Sequence, residues 1–386
     1  MTRAAGIVGV YESPRRQASG IHPYTIHAEC IKGALADSGL LPQDIDGYCT
    51  AAGDWAEGGA SSDILDLAEF LEISPHYFDS TDIGGGSYVS HVGHAAMSIS
   101  AGKANVVAIS YAACPKSWPL PMTFWDGLTY PAGPGQFEIP YAPTVVASYA
   151  LFAQRHFHEF GTTPGQLARI AVTCRGNAKL NPHARYRDTI TVDDVLSSPT
   201  ISSPLHKLDC CVVTEGGGAI LVASEERARD CKEVPVWIRG FGEALGSLSL
   251  SRMAERIATP ARLSGARAFS MAGITPDQVD TAQLYDAFTI TVLMLLEDLG
   301  FCDKGEGGHF VESGAIDADG KLPINTDGGG LSSNHPGRRG IFTVIEAVRQ
   351  LRGRGVGVQV PQCRTALAHG LGGIMSAGAT LILSKD

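Results

Sequence analysis

Apolar residues recur along this chain in two rhythms. Short, nearly continuous apolar runs at 7–10, 47–51 and 106–110 read as strands. Between them lie segments with apolar positions at helical spacing, at 24–38, at 63–71 and from the glycines at 84–86 to residue 100. Strands apolar on both faces, alternating with helices, predict βαβ units and a mostly parallel sheet covered on both sides. Residues 114–145 break the pattern. They hold seven prolines together with Trp118, Phe124, Trp125, Tyr130, Phe137 and Tyr141, a composition too aromatic for a disordered linker, which predicts a long functional loop or cap. Helices resume at 145–160 and 163–177, and Asp209-Cys210-Cys211 leads into a strand. In the second half a strand ends at Gln283-Leu284-Tyr285, and an amphipathic helix follows at 288–299.

Three stretches occur twice, in the same order. Ala34-Leu35-Ala36-Asp37-Ser38-Gly39-Leu40-Leu41-Pro42 parallels Ala268-Phe269-Ser270-Met271-Ala272-Gly273-Ile274-Thr275-Pro276, each a helix end, a glycine stop and a proline-led turn toward a strand. Thr81-Asp82-Ile83-Gly84-Gly85-Gly86-Ser87 parallels Asn325-Thr326-Asp327-Gly328-Gly329-Gly330-Leu331, and Glu215-Gly216-Gly217-Gly218-Ala219 parallels the glycine-rich run from Gly372 to Ala379. The period is far longer than a solenoid repeat, so the chain is expected to be two similar halves, 1–230 and 231–386, with a cap inserted at about 114–205. The first glycine turn has the form of a nucleophile-bearing helix start, with backbone N–H groups at a positive dipole end, yet it carries no nucleophile. Asp82 before it reads as a cap.

A length of 386 residues suits two packed halves. A net charge of −10 argues against nucleic-acid binding as the main activity, although Arg338-Arg339 offers a local site for a phosphorylated cofactor. Nine cysteines without a CxxC spacing read as reduced thiols of a cytoplasmic protein, not as a disulfide framework or a zinc site. Cys210 and Cys211 read as buried small hydrophobes beneath the site. His91 and His94, three apart on a helix, lack a third ligand at metal-binding spacing. No apolar run is long enough to span a membrane, and the N-terminal apolar stretch is too short for a signal peptide.

Tyr285-Asp286-Ala287-Phe288, Gly329-Gly330-Leu331-Ser332-Ser333-Asn334-His335-Pro336 and Ala368-His369-Gly370-Leu371-Gly372-Gly373, with the glycine turn before a helix, resemble the thiolase superfamily. The block from Leu284 to Gly353, including Gly300-Phe301-Cys302-Asp303-Lys304-Gly305-Glu306, is similar to its sterol-carrier-protein-type branch and, within that, to the aldolases that shorten steroid side chains as coenzyme A thioesters. The resemblance covers nearly the whole chain. It implies an α/β thiolase fold, two duplicated βαβαβαββ halves of five strands each in a layered αβαβα arrangement, and a homodimer paired through an edge strand near 106–110.

The resemblance also assigns roles. Gly85 stands where a thiolase carries its nucleophilic cysteine, so the covalent acyl-enzyme route lacks its first actor. Tyr285-Asp286-Ala287-Phe288 replaces the branch's His-Asp-Cys-Phe. Tyr285 is then the expected proton acceptor or donor, given surroundings that lower its pKa, and His335 either the donor to the thioester oxygen or the base. Asp286, Asn334, His369 and Gly85 are expected to support them, with His369 in a glycine loop facing the same pocket. The implied activity is retro-aldol cleavage of a bulky, steroid-type β-hydroxyacyl-CoA, with the CoA thioester as substrate and no permanently bound cofactor. A small OB-fold and zinc-ribbon protein is the implied partner, giving a heterotetramer. Two alternatives stay open: a thiolase or acyltransferase using another cysteine such as Cys114, and a non-catalytic subunit of a complex.

Overall fold

The computed structural model describes residues 4–51, 63–117, 135–138, 144–253, 255 and 257–386. The first half runs β1 (Ala5–Glu12), α1 (Pro23–Ser38), β2 (Gly47–Cys49), α2 (Asp63–Phe70), β3 (Tyr77–Asp79), α3 (Ser87–Ser100) and β4 (Val106–Ala113). Helices α4 (Gly135–Glu138), α5 (Val145–Phe160), α6 (Pro164–Leu180) and α7 (Val192–Ser197) and a hairpin, β5 (Thr200–Ser202) with β6 (Leu205–His206), precede β7 (Gly216–Ser224). After α8 (Glu225–Arg229) come β8 (Val236–Leu245), α9 (Ala261–Ala272), β9 (Thr281–Leu284), α10 (Thr289–Asp298), α11 (Gly307–Glu312), α12 (Gly340–Leu351), β10 (Thr365–Gly372) and β11 (Ala377–Ser384). Of the expected aromatic cap, Trp118, Phe124, Trp125, Tyr130 and Tyr141 lie outside the described residues, whereas Phe137 is on α4 and exposed.

The duplication follows from local chemistry. Helices α1 and α9 both stop at a left-handed glycine, Gly39 (φ 79°) and Gly273 (φ 68°), because only glycine enters that region without a Cβ penalty. A single 3₁₀ turn follows each, Pro42–Asp44 and Pro276–Gln278, and leads into β2 and β9. The strand glycines that face the start of the repeat have a steric reason. A Cβ on Gly9 of β1 would lie 2.3 Å from the Ala34 carbonyl oxygen, and one on Gly240 of β8 would lie 2.1 Å from that of Ala268, so in both halves helix and strand touch through a glycine.

Strand order along the ladder is β3-β2-β4-β7-β1-β8-β11-β10-β9. The second half repeats the pairings of the first, with β9 parallel to β10 as β2 is to β4, and with β11 antiparallel to its neighbours as β7 is. Two features differ from expectation. Among the described residues the second half has four strands, its fifth reduced to a parallel bridge between Ala282 and Ile324, and hydrogen bonding is continuous between the halves through Gly6–Trp237 and Ile7–Val236.

Side chains alternate between two apolar layers. On β4, Val107, Ile109 and Tyr111 face a central core shared with α3 and α12, while Val106, Ala108 and Ala112 face the α1 side. On β10, Ala366 and Ala368 face the central core, and Leu367 and Leu371 face the outer core of the second half. Helices α3 and α12 each touch strands of both halves, whereas α1 packs on the first half and α9 on the second. This is the five-layer order of a thiolase fold. The cap helices α5 and α6 pack on α10, so an excursion from the first half covers the second.

The expected edge strand is a correction. β4 is interior, hydrogen-bonded to β2 on one side and to β7 on the other, and among the described residues the edge strand of the first half is β3, paired with β2. Phe78 on β3 is 65% exposed. Among the described residues no helix is long and apolar enough to cross a membrane.

Candidate active site

The chain leaves β9 at Leu284, whose N–H donates to Asn325 Oδ1 at 2.7 Å, and turns through Tyr285 and Asp286 into α10. The Asp286 carboxylate accepts from the N–H groups of Gly330 (2.7 Å) and Leu331 (3.1 Å), capping the π-type turn Gly329–Ser333. This cap needs glycine at 329, where a Cβ would lie 2.0 Å from Asp286 Oδ2 and where φ is 68°.

A buried arginine ties these segments together. Arg339, 1% exposed, sets Nε 3.0 Å from Asp286 Oδ1 and donates through Nη2 to both Asp327 oxygens at 2.8 Å and through Nη1 to the Asn334 carbonyl at 2.8 Å. Burial pushes the Asp286 carboxyl up to about 6 against the pull of Arg339. Nearby, burial alone would raise Glu12, but Arg16 and Arg349 hold it down to about 2. Thr214 fixes the next residues, donating to Asn334 Oδ1 at 2.7 Å and accepting from the His335 N–H at 2.8 Å, while Asn334 Nδ2 donates to Glu12 at 3.1 Å.

These supports deliver two side chains to each other. The Tyr285 and His335 rings meet edge to face, with centroids 5.6 Å apart and planes at 80°. Tyr285 Oη donates to the Gly337 carbonyl at 3.0 Å. Burial, then Tyr149 and Cys211, push its phenol far above the ordinary range, which corrects the expectation of a lowered pKa: Tyr285 is held protonated. Among the described residues His335 Nε2 is buried without a hydrogen-bond partner, and burial followed by the Arg339 charge lowers the ring to about 4, so it is neutral near pH 7. A neutral imidazole with one uncommitted nitrogen is suited to a ligand's oxygen.

Gly85, in the 3₁₀ turn Gly84–Gly86 at the start of α3, completes the site. A Cβ there would lie 2.3 Å from Tyr285 Cε2 and 2.4 Å from both Cζ and Oη, so the phenol ring fills the space that a side chain at 85 would take. The start of α12 meets it closely, since a Cβ on Gly340 would lie 2.2 Å from the Gly85 carbonyl oxygen.

Residues 242–385 match the family described as thiolase C-terminal domain-like. The 17-hydroxy-3-oxo-4-pregnene-20-carboxyl-CoA lyase of Mycobacterium tuberculosis is 36% identical, over 91% of this chain and 92% of that protein. The chain belongs to the thiolase superfamily, in the branch of the steroid side-chain-cleaving aldolases. The steroid side-chain-cleaving aldolase of Thermomonospora curvata is 32% identical, over 99% of this chain and 98% of that protein. Among solved structures, the Ltp2-ChsH2(DUF35) aldolase superposes with a TM-score of 0.88 at 33% identity, covering 99% of this chain and 97% of that one.

Within this thiolase-like framework the remaining expected residues fall in different places. His369 is on β10, not in a glycine loop. It shares the face of Leu367 and Leu371, with Nδ1 2.9 Å from Thr380 Oγ1, which is in turn 2.8 Å from Ser264 of α9. Strand alternation therefore turns Ala368 and Gly370 toward α3 and His369 away from it, and burial lowers its ring to about 3. His91 bonds the Thr81 carbonyl, and His94 lies 2.6 Å from Asp79 and 3.2 Å from Glu243. Cys114 is buried on the α1 side, its thiol pushed up to about 12 by burial. Cys210 and Cys211 are half-buried, not buried as expected, and are held beneath the Tyr285–Phe288 turn by the Cys211 N–H to the Ala287 carbonyl at 2.9 Å. Arg338 pairs with Asp82 at 2.8 Å. Thr214 and the structural role of Arg339 were missed from sequence, because their partners are distant in the chain.

Because ring and side chain compete for one space, Gly85→Cys should destabilise the fold by about 1–3 kcal/mol on its own. Tyr285→Ala should cost about 3–5 kcal/mol through the cavity it leaves. In the double variant the thiol can enter that cavity, so the combined loss measured by urea denaturation should fall short of the sum by about 1 kcal/mol or more. Strict additivity would mean that the ring does not occupy the position-85 space.

Proposed function

We propose that this enzyme cleaves a bulky, steroid-type β-hydroxyacyl-CoA by a retro-aldol reaction, giving a ketone or aldehyde and a short acyl-CoA, with no covalent acyl-enzyme. The observation that carries it is the Tyr285 ring standing in the nucleophile's place, edge to face with a His335 whose Nε2 has no partner among the described residues. In this reaction the β-hydroxyl loses its proton, the Cα–Cβ bond breaks, and its electrons pass into the thioester enolate. His335 Nε2–H stabilises the enolate oxygen, a role that a neutral donor in a water-poor site fills well. As the Cα–Cβ bond breaks, the phenol of Tyr285, protonated at rest, passes its own proton to Cα in the same step in which its oxygen takes up the β-hydroxyl proton, so that no free phenolate forms and it ends the cycle as it began. Asp286 and Asn334 hold these two residues, and Gly85 leaves room for the ring. The thiolase alternative is weaker, since Cys114 faces the α1 side and its thiol is held protonated. A purely structural subunit would have no use for an unpaired imidazole nitrogen beside a buried phenol.

Incubation with a panel of β-hydroxyacyl- and β-ketoacyl-CoA thioesters, with products identified by mass spectrometry, should give carbonyl and acyl-CoA fragments from the hydroxy series alone. Tyr285→Phe and His335→Ala should each lower the rate by roughly 100-fold or more. Near-normal rates in both would relocate the site.

We also propose a homodimer formed through β3, which among the described residues pairs with a strand on one side only and carries the exposed Phe78. Light scattering should give twice the chain mass, and Phe78→Asp should shift the distribution toward monomer. A wild-type monomer at micromolar concentration would rule the interface out.

The third element is a small OB-fold and zinc-ribbon partner, on the analogy of the Ltp2-ChsH2(DUF35) aldolase and because Phe137, Leu245 and Leu263 are apolar and exposed. Co-production with such a protein should raise soluble yield and activity. Full activity of the chain alone, with nothing bound to it in its native extract, would remove the partner and leave the lyase.

A further inference from the structure

Arg339 has contacts that a structural counter-ion would not need. Its guanidinium is 1% exposed and addresses three separate pieces of chain: Asp286, directly after Tyr285; the carbonyl of Asn334, directly before His335; and Asp327, which opens the glycine turn. It stands two residues after Gly337, whose carbonyl accepts from Tyr285 Oη, and directly before Gly340, the first residue of α12. Gly330, beneath the site, would place a Cβ 2.9 Å from Arg339 Cδ, Asp286 Oδ1 and His335 Cδ2 alike, so the packing between these groups has no slack. We infer that Arg339 is a positioning residue whose planar fork sets Tyr285 and His335 against each other through Asp286 and Asn334, touching no substrate itself.

This rests on the retro-aldol assignment for its kinetic consequence, but the geometry it predicts is independent of it. A lysine keeps the charge yet cannot reach Asp327, the Asn334 carbonyl and Asp286 from one planar group, so Arg339→Lys separates charge from geometry. In the full chain, Arg339→Lys should fold and bind a short acyl-CoA within about threefold of wild type, while kcat falls by about 10- to 100-fold. The readout that does not depend on turnover is the NMR signal of the two rings. The His335 ring protons should shift, as the edge-to-face contact with Tyr285 changes, while those of His369, on the other face of β10, should not. If Arg339→Lys does not fold, Asp327→Asn weakens the same clamp from the other side and should move the same signals with a smaller loss of kcat. A folded variant of either kind with unchanged His335 signals and unchanged kcat overturns the inference. If the wild-type protein cleaves none of the thioesters, the retro-aldol assignment fails by itself, and the ring signals still decide whether Arg339 positions Tyr285 and His335.

Discussion

The ring of Tyr285 and a side chain at position 85 cannot share the same space, because the ring atoms lie within 2.3–2.4 Å of where a Cβ on Gly85 would stand. Covalent acyl transfer needs a nucleophile at the start of α3, with helix-end N–H groups around it. Filling that position with a phenol keeps the dipole and the enclosure and removes the nucleophile. On the function proposed above, what remains is a site for steadying charge on a thioester oxygen and moving protons. Such chemistry makes and breaks a carbon–carbon bond without holding the acyl group.

Holding a phenol and an imidazole in that arrangement requires three loops to converge inside the protein. Their backbone groups and carboxylates are out of water, and each must find a partner there. Arg339 meets several at once, donating to Asp327 and to the Asn334 carbonyl and setting its charge 3.0 Å from Asp286. Removing one member would leave the others charged and buried, which is far costlier than the net worth of the intact set. The neutrality of His335 follows from the same enclosure: burial and the neighbouring positive charge disfavour a second cation, leaving a neutral ring at ordinary pH.

Much of this was legible in the chain. The repeat at Ala34 and Ala268 marks a real contact, since those alanines meet a glycine of the adjoining strand in each half. The Tyr285 and His335 motifs do come together. What was not legible depended on pairings far apart in sequence. That β4 is interior and β3 the edge is decided by β7, which returns to the sheet only after the cap. Strand parity at His369 was readable in principle, but which face is turned to α3 depends on how β10 sits between β9 and β11. Arg339 looked like half of a basic pair for phosphate, yet its partners lie both before and after the glycine turn and draw it into the interior.

The most direct test of a site without a nucleophile is exchange between free and esterified coenzyme A. A covalent thiolase incubated with a short acyl-CoA and isotopically labelled CoA passes label into the thioester pool through its acyl-enzyme. This enzyme should leave the label entirely in free CoA, in a preparation that at the same time cleaves its β-hydroxyacyl-CoA substrate. Label appearing in the acyl-CoA at a rate comparable to turnover would contradict the account.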